Sequence, residues 1–158
     1  MVKNLALCVL IAWITQGTPF EIPNELLEDD VNQRCMKELS LGSTQLSSIF
    51  DEQFLVIRPL SQTATEFYEC NLRKFQFLKE DGELNKELIT EKLAKIIPIL
   101  AKTAIDIDKA HDLSQKLYNR CNTPKGSNPV EKLADFHDCI IIQLPKLVPQ
   151  VYSMAYVN

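Results

Sequence analysis

The stretch Thr63–Leu84, TATEFYECNLRKFQFLKEDGEL, predicts a helix and a turn around one cysteine, Cys70. Thr63 and Glu66 have the spacing of a capping box, in which the threonine hydroxyl accepts a hydrogen bond from the Glu66 amide and the glutamate accepts one from the Thr63 amide. Asp81-Gly82 is a typical turn pair, because glycine tolerates a positive φ. We therefore expect Cys70 to lie on a helix that ends in this turn.

The same kinds of signal predict helices on both sides of this stretch. They run from Glu25 to about Leu39, from Ser43 to about Phe50, onward from Asn85, from about Ala104 to Arg120, and from Asn128 until Pro145 and Pro149 end the last one. Pro98 is expected to kink or split the helix that begins at Asn85, since proline lacks an amide N–H. Phe54–Ile57 is β-like but has no partner strand, so we predict a buried connector. The fold class is all-α, with about six short helices.

Residues 1–17 have the pattern of a secretory signal peptide: Lys3 in a basic start, the apolar run Leu5–Ile14, and small residues around a cleavage site at Thr15-Gln16-Gly17. The apolar run is about half of the ~20 residues that a membrane span needs. We expect residues 18–158 to form one secreted, extracellular domain.

Charge and cysteine content limit what the secreted domain could bind. Residues 1–17 hold one of the 17 Lys and Arg and none of the 21 Asp and Glu, so their removal leaves a net charge of −5. This acidity argues against nucleic acid or an anionic membrane surface as a partner. Removal of Cys8 leaves an even set, which predicts disulfides with three possible pairings. These cysteines are Cys35, Cys70, Cys121 and Cys139.

No arrangement of residues in the sequence predicts catalysis. His111, in Asp108-x-x-His111-Asp112, is a candidate metal ligand, but a lone histidine on a charged helical face is more often solvated. Paired carboxylates, a Ser/His/Asp set and a phosphate-binding loop are not apparent. We expect no enzyme activity, no metal and no cofactor.

Two segments carry a recognisable pattern. They are Glu66–Leu84, which contains Cys70 and Lys74, and Val130–Cys139. With the helix layout and the cysteine spacing, they resemble the third-helix and late-cysteine segments of the insect odorant-binding protein family, the pheromone and general odorant-binding superfamily. The resemblance covers essentially all of residues 24–145.

The resemblance has consequences for the cysteines. The chain matches the first, third, fourth and sixth of the family's six cysteines, and the second and fifth would fall at Glu66 and Val130. Loss of that pair is typical of the four-cysteine, or C-minus, subclass. The family's connectivity implies the bonds Cys35–Cys70 and Cys121–Cys139.

The resemblance also implies a function: a secreted carrier of a small hydrophobic ligand (an odorant, a pheromone or a lipid-like molecule) in an internal cavity. The apolar side chains expected to form its wall are Ile49, Phe50, Phe54, Phe75, Leu93, Ile97, Leu113, Leu117, Phe136, Ile140 and Leu144. The uncharged tail, residues 150–158, would cover or enter the cavity, so that Tyr152 or Tyr156 gives a hydroxyl to the ligand. Apart from the resemblance, His137 lies among Glu131, Asp135 and Asp138, which predicts that its protonation couples to the last helix, although an ordinary exposed histidine fits the sequence better.

Alternatives remain at this point. Most of the wall residues would be core in any helical bundle. The same scaffold would also suit a secreted effector of venom, saliva or reproductive fluid that acts through protein contacts, with its cavity filled by side chains. A large exposed apolar patch would favour that effector. A membrane receptor and a second copy of the chain are further possible partners.

Overall fold

The computed structural model describes residues 30–101 and 104–148. Its helices are α1 (Asp30–Glu38), α2 (Ser43–Leu46), α3 (Gln62–Phe75), α4 (Lys86–Leu100), α5 (Ile107–Cys121) and α6 (Pro129–Leu147). These described ranges contain no β-strand, and isolated antiparallel bridges join Phe50 to Val56 and Leu78 to Leu84. The predicted all-α class is confirmed. The proposed signal peptide, the first part of the first predicted helix and the tail lie outside the described residues.

Helix α3 begins earlier than predicted, and the expected capping box is wrong. Ser61 is the N-cap, and its Oγ accepts a hydrogen bond of 3.1 Å from the Ala64 amide. Glu66 instead accepts a hydrogen bond from the Gln62 side chain. Serine and threonine are both good caps, and the earlier one, which follows Pro59 closely, adds a half-turn of helix.

Helix α3 also ends before the Asp81-Gly82 turn that was expected to end it. Gln76 adopts a left-handed conformation, φ 54°, and its amide closes the last turn on the Leu72 carbonyl. The chain then folds back through Gly82, φ 80°, to bring Leu78 opposite Leu84. Because α3 stops early, Phe77 lies between this helix and the turn. There it packs against both of the clusters that the buried apolar residues form.

The later helices begin at side-chain caps. Asn85 and Asn128, from which the sequence predicts helices to run, accept hydrogen bonds from the third following amide, and Pro129 occupies the first turn of α6. Helix α5 starts at Ile107 rather than near Ala104, because the Asp106 carboxylate caps it through the Lys109 amide at 2.8 Å. Helix α2 is shorter than predicted and gives way to turns before Phe50.

Two prolines lie inside helices instead of breaking them. Pro98 is in the last turn of α4, which is not split and ends at Leu100. Pro145 is in the last turn of α6, which continues to Leu147, so the prediction that Pro145 ends this helix is wrong. A proline near the C-terminal end removes one amide hydrogen bond, and the turn that follows can still close on the residues before it. Pro149 lies outside the described residues.

The buried apolar residues form two clusters. The N-terminal cluster comprises Cys35, Leu46, Ile49, Phe50, Val56, Ala64, Phe67, Tyr68, Cys70, Val130, Leu133 and Ala134. The C-terminal cluster comprises Leu84, Ile89, Leu93, Ile97, Leu100, Ala101, Leu113, Leu117, Tyr118, Cys121, Phe136, Ile140, Leu144 and Val148. Helix α6 contributes to both, because its first turns pack with α3 and its later turns with α5.

Each cluster contains one disulfide. Cys35–Cys70 joins α1 to α3, and Cys121–Cys139 joins the end of α5 to the middle of α6. This is the pairing that the family resemblance implies. Closing loops of these lengths removes conformational entropy from the unfolded chain.

Candidate ligand cavity

A cavity of about 220 Å³ lies between the two clusters. Its wall is almost entirely apolar and is built from α1 to α4, α6 and the segments after α2 and α3. An apolar protein cavity of about 150 Å³ can bind benzene, so this cavity has room for one small organic molecule. Concave, apolar sites with a few polar groups are the usual form of small-molecule sites in proteins.

The structure places the predicted wall residues in two groups. Those that line the cavity are Phe50, Phe54, Phe75, Leu93, Phe136 and Ile140. Those that lie in the core behind the wall, away from the cavity, are Ile49, Ile97, Leu113, Leu117 and Leu144. Helical periodicity shows which face is buried but not whether that face meets side chains or a cavity, so it does not separate the two groups. Tyr152 and Tyr156 lie outside the described residues.

Sequence reasoning missed further lining residues. These are Met36, Leu46, Phe67, Tyr68, Asn71, Phe77, Ile89, Lys92, Ile96, Leu100, Leu133, His137 and Ile141. A signal existed for some of them: Ile89, Ile96 and Leu100 share the helical face of Leu93, and Leu133 precedes Phe136 by three positions. Lys92 and His137 carried no such signal, because charged and polar residues are expected at the surface.

An aromatic group forms part of the cavity wall. The Phe50 and Phe54 ring centroids are 4.4 Å apart, and the His137 imidazole lies 5.2 Å from each. The His137 ring therefore packs against both phenyl rings in the wall. Its Nδ1 lies 3.2 Å from Oδ1 of Asp138.

Asp138 fastens the segment after α2 to α6. Its Oδ1 accepts a hydrogen bond of 2.8 Å from the Val56 amide, and its Oδ2 accepts one of 3.2 Å from Arg58. Burial alone raises the pKa of the Asp138 carboxyl, but the hydrogen bonds from His137, the Val56 amide and Arg58 outweigh it, so that this pKa lies below its usual 3.8. We call the hydrogen bonds that Asp138 accepts from the Val56 amide and Arg58 the Asp138 clamp.

The segment Phe54–Ile57, which the sequence predicts to be a buried connector, is buried only in part. Val56 is buried, whereas Ile57 is 40% exposed.

The acidic neighbours of His137 differ in what they contact. Of Glu131, Asp135 and Asp138, the last is the one that lies next to the imidazole. Glu131 accepts hydrogen bonds from Ser127, and Asp135 accepts one from Arg58. The acidic side chain in contact with His137 is therefore the one that forms the Asp138 clamp.

Polar groups are few in the rest of the wall. Asn71 is buried and donates a hydrogen bond of 2.9 Å to the Phe67 carbonyl. The Tyr68 hydroxyl is buried and has no hydrogen-bond partner in the described part of the chain, and burial raises the pKa of this phenol well above its usual value. Lys92 places its Nζ 4.7 Å from the centroid of the Phe75 ring, which stacks on Phe77.

Other kinds of site have no support in the described part of the chain. His111 is exposed on α5, and no group of three or more His, Cys, Asp and Glu able to hold a metal occurs within residues 30–101 and 104–148. Over the same ranges, no helix has the length and apolar character needed to cross a membrane.

Comparison with known proteins gives one match. The model of the PBP/GOBP family matches residues 24–143, about three quarters of the chain. No curated protein and no solved structure matches it. The matched range contains both disulfides and every residue that lines the cavity.

Proposed function

Since the chain belongs to the PBP/GOBP family, the family of the insect odorant-binding proteins, whose members carry small hydrophobic ligands, we propose that it is a secreted carrier that holds such a ligand in this cavity. The observation that supports the proposal most is the cavity, with its apolar wall between the two clusters. We assign ligand contact to the predicted residues that line it, which are Phe50, Phe54, Phe75, Leu93, Phe136 and Ile140.

Displacement of a bound fluorescent probe by a panel of small apolar molecules tests this proposal. Helix α6 offers a matched pair of variants, because Ile141 lines the cavity and its neighbour Ile142 is 43% exposed. Ile141→Trp should fill part of the cavity and weaken probe binding about tenfold or more, since a tight site loses 1–3 kcal/mol when overpacked. Ile142→Trp should bind the probe as the wild type does.

Two results would contradict the carrier proposal. Equal affinities of the two tryptophan variants, with unchanged circular dichroism, would place the binding site outside the cavity. Failure of every molecule in the panel to bind would favour the effector alternative. No observation favours that alternative: the large hydrophobic residues exposed in the described ranges, Ile57, Ile107 and Ile142, lie on different elements, and single exposed hydrophobic residues are normal.

The tail and the cysteine pattern belong to the same proposal. We propose that residues 150–158 cover the cavity and that Tyr152 or Tyr156 contacts the ligand. Deletion of this tail should then weaken ligand binding, and unchanged affinity would mean that the tail packs elsewhere.

We also assign the chain to the four-cysteine subclass. Amide hydrogen exchange should accordingly detect low-energy opening near Glu66 and Val130, and uniform strong protection there would contradict the assignment.

A further inference from the structure

The cavity wall contains a buried hydroxyl group that makes no hydrogen bond. Tyr68 lies on α3, lines the cavity and is 4% exposed. Among the buried side-chain nitrogen and oxygen atoms of residues 30–101 and 104–148, its hydroxyl is the only one without a hydrogen-bond partner. Such a group costs free energy, because it gives up its hydrogen bonds to water and gains none in the fold. A ligand in the cavity could supply the missing partner.

Two other polar side chains of the wall differ from Tyr68 in this respect. Asn71, one turn further along α3, donates a hydrogen bond of 2.9 Å to the Phe67 carbonyl. Nδ1 of His137 lies 3.2 Å from Oδ1 of Asp138. Both side chains therefore have a partner within the protein, whereas the Tyr68 hydroxyl has none in the part of the chain that the structure describes.

Packing restricts the direction of the Tyr68 ring. This ring meets the Phe67 ring edge to face, with centroids 5.8 Å apart, and lies at 69° to the His137 ring, with centroids 6.4 Å apart. Two residues further on, Cys70 ties α3 to α1 through its disulfide. A donor whose orientation is already restricted loses little conformational entropy when a ligand binds, so the hydroxyl is preorganised.

The Tyr68 phenol is protonated at neutral pH and can act as a donor. Burial raises its pKa well above the usual value, the negative charge of Asp138 raises this pKa further, and the charge of Arg58 offsets part of the increase. The charge that disfavours a phenolate also disfavours an anionic ligand oxygen beside this hydroxyl. An uncharged acceptor avoids that repulsion.

We propose that the Tyr68 hydroxyl donates a hydrogen bond to a carbonyl oxygen of the ligand, so that the preferred cargo is a small, uncharged ketone, aldehyde or ester with an apolar body. The inference rests on the proposed carrier function and names its ligand class. A carbonyl brings no proton of its own, so one hydrogen bond satisfies the buried donor. An alcohol brings a second proton, which would need a further acceptor in a wall that is almost entirely apolar.

The test uses three ligands with the same number of non-hydrogen atoms as displacers of a fluorescent probe at pH 7. Acetophenone carries a carbonyl oxygen where 1-phenylethanol carries a hydroxyl group and cumene a methyl group. The proteins are the wild type, Tyr68→Phe and, as the matched control, Tyr118→Phe. Tyr118 does not line the cavity, and its hydroxyl donates to the Leu84 carbonyl.

Tyr68→Phe should weaken acetophenone binding about tenfold, because the ligand carbonyl is left buried and unpaired. The loss for 1-phenylethanol should be smaller, and the affinity for cumene should change by less than about threefold, since cumene has no hydrogen bond to lose. Tyr118→Phe should bind all three ligands as the wild type does. Circular dichroism checks that each variant is folded.

The melting temperature without ligand gives an independent check. Because the Tyr68 hydroxyl is buried and unpaired, Tyr68→Phe should melt at or above the temperature of the wild type. A clearly lower melting temperature would mean that the hydroxyl has a partner within the protein, and that result would overturn the proposal.

The binding outcomes separate this inference from the carrier function. If all three ligands bind and Tyr68→Phe weakens them equally or not at all, the carrier function stands and the hydroxyl site is wrong. If Tyr68→Phe weakens 1-phenylethanol as much as acetophenone, the carbonyl class is wrong. If Tyr118→Phe weakens acetophenone as much as Tyr68→Phe does, the effect does not come from the cavity and the proposal fails. If no ligand displaces the probe, both proposals fail.

Discussion

The two core clusters are held together in different ways. The C-terminal cluster is made by α4, α5 and most of α6, which are 15, 15 and 19 residues long, and α5 packs along both of the others. The N-terminal cluster depends on α1 and α2, which are 9 and 4 residues long, on α3, and on the irregular segment between α2 and α3. Isolated helices shorter than about 12–15 residues are marginal in water. The N-terminal cluster therefore needs other constraints.

Those constraints are a buried disulfide and the Asp138 clamp. Both sulfurs of Cys35–Cys70 belong to residues that are 0% exposed, whereas Cys139 of the other bond is partly exposed at the edge of its cluster. The cavity lies between the two clusters, so one side of its wall is stabilised by helix packing and the other by cross-links. We expect the N-terminal side to be the one that yields when a ligand enters.

Removing the disulfides one at a time should give the largest effects. In the chain-entropy model, a loop of 35 residues contributes about 4 kcal/mol and one of 18 residues about 3 kcal/mol. The double variant Cys35→Ala, Cys70→Ala should lower the free energy of unfolding more than the double variant Cys121→Ala, Cys139→Ala. Its loop is longer, and the space left by the removed sulfurs is fully buried. Urea denaturation measures both. A larger loss from the second pair would reverse the comparison between the clusters.

The loop that leads from the C-terminal cluster into α6 should be next in sensitivity. A Cβ on Gly126 would overlap the backbone of Glu131 and Lys132 in the first turn of α6. Gly126→Ala should therefore destabilise the protein by about 3 kcal/mol, the upper part of the range for overpacking. Gly82→Ala is the matched control, because a Cβ at this position meets nothing within 4 Å. We expect it to destabilise the protein by about 1 kcal/mol, the cost of placing an alanine at a φ of 80°. Equal losses in thermal denaturation would show that the loop can shift.

Breaking the Asp138 clamp should weaken the N-terminal side alone. Asp138→Ala should cost about 2 kcal/mol at pH 7, because the Val56 amide loses a charged acceptor. Asp135→Ala, which removes a partly exposed partner of Arg58, should cost less than about 1 kcal/mol.

The same clamp predicts a direction with pH. The folded pKa of Asp138 lies below its usual 3.8, so its contribution is present above that value and is lost as pH falls through the lower, folded pKa. Urea denaturation at pH 7 and in acid should show the difference between wild type and Asp138→Ala shrinking in acid. A difference that is constant with pH would mean that the charge of Asp138 contributes nothing.

The smallest effect concerns Lys92, on the C-terminal side of the cavity. Its pKa is about 8 when folded and near 10.5 when unfolded, so between these values the unfolded chain binds more protons. Stability of the wild type relative to Lys92→Met should therefore rise with pH across this window. The shift in melting temperature should be small, because the side chain is only partly buried. Lys95→Met should show no such rise, and a parallel rise would point to general charge repulsion.

Local signals were the most predictable part of the fold. Helices α4 and α6 follow Asn85 and Asn128, where the sequence predicts them to begin, because a cap depends only on one side chain and the third amide after it. The start of α3 was less predictable, because Ser61 and Thr63 can both cap a helix. The structure uses Ser61, the residue nearer to Pro59. Pro145 does not end α6, because a proline in the last turn of a helix removes only one amide hydrogen bond.

The cavity was less predictable than the helices. Phe75, Leu93 and Ile140 lie on faces that periodicity marks as buried, and they line it. Ile97 and Leu117 satisfy the same periodicity but are packed on all sides. Lys92 is the reverse case, a charged residue that sequence reasoning assigns to solvent and the fold turns toward the cavity.

The sequence by itself determined the helical class, most helix starts and, through the family pattern, which cysteines pair. These follow from interactions within a few residues or from a spacing that the chain carries directly. Only the tertiary structure decided where the two clusters leave a gap, which side chains face it, and that Asp138 fastens one of its sides. A cavity is space left between elements distant in sequence, so its position and the chemistry of its wall depend on how those elements pack.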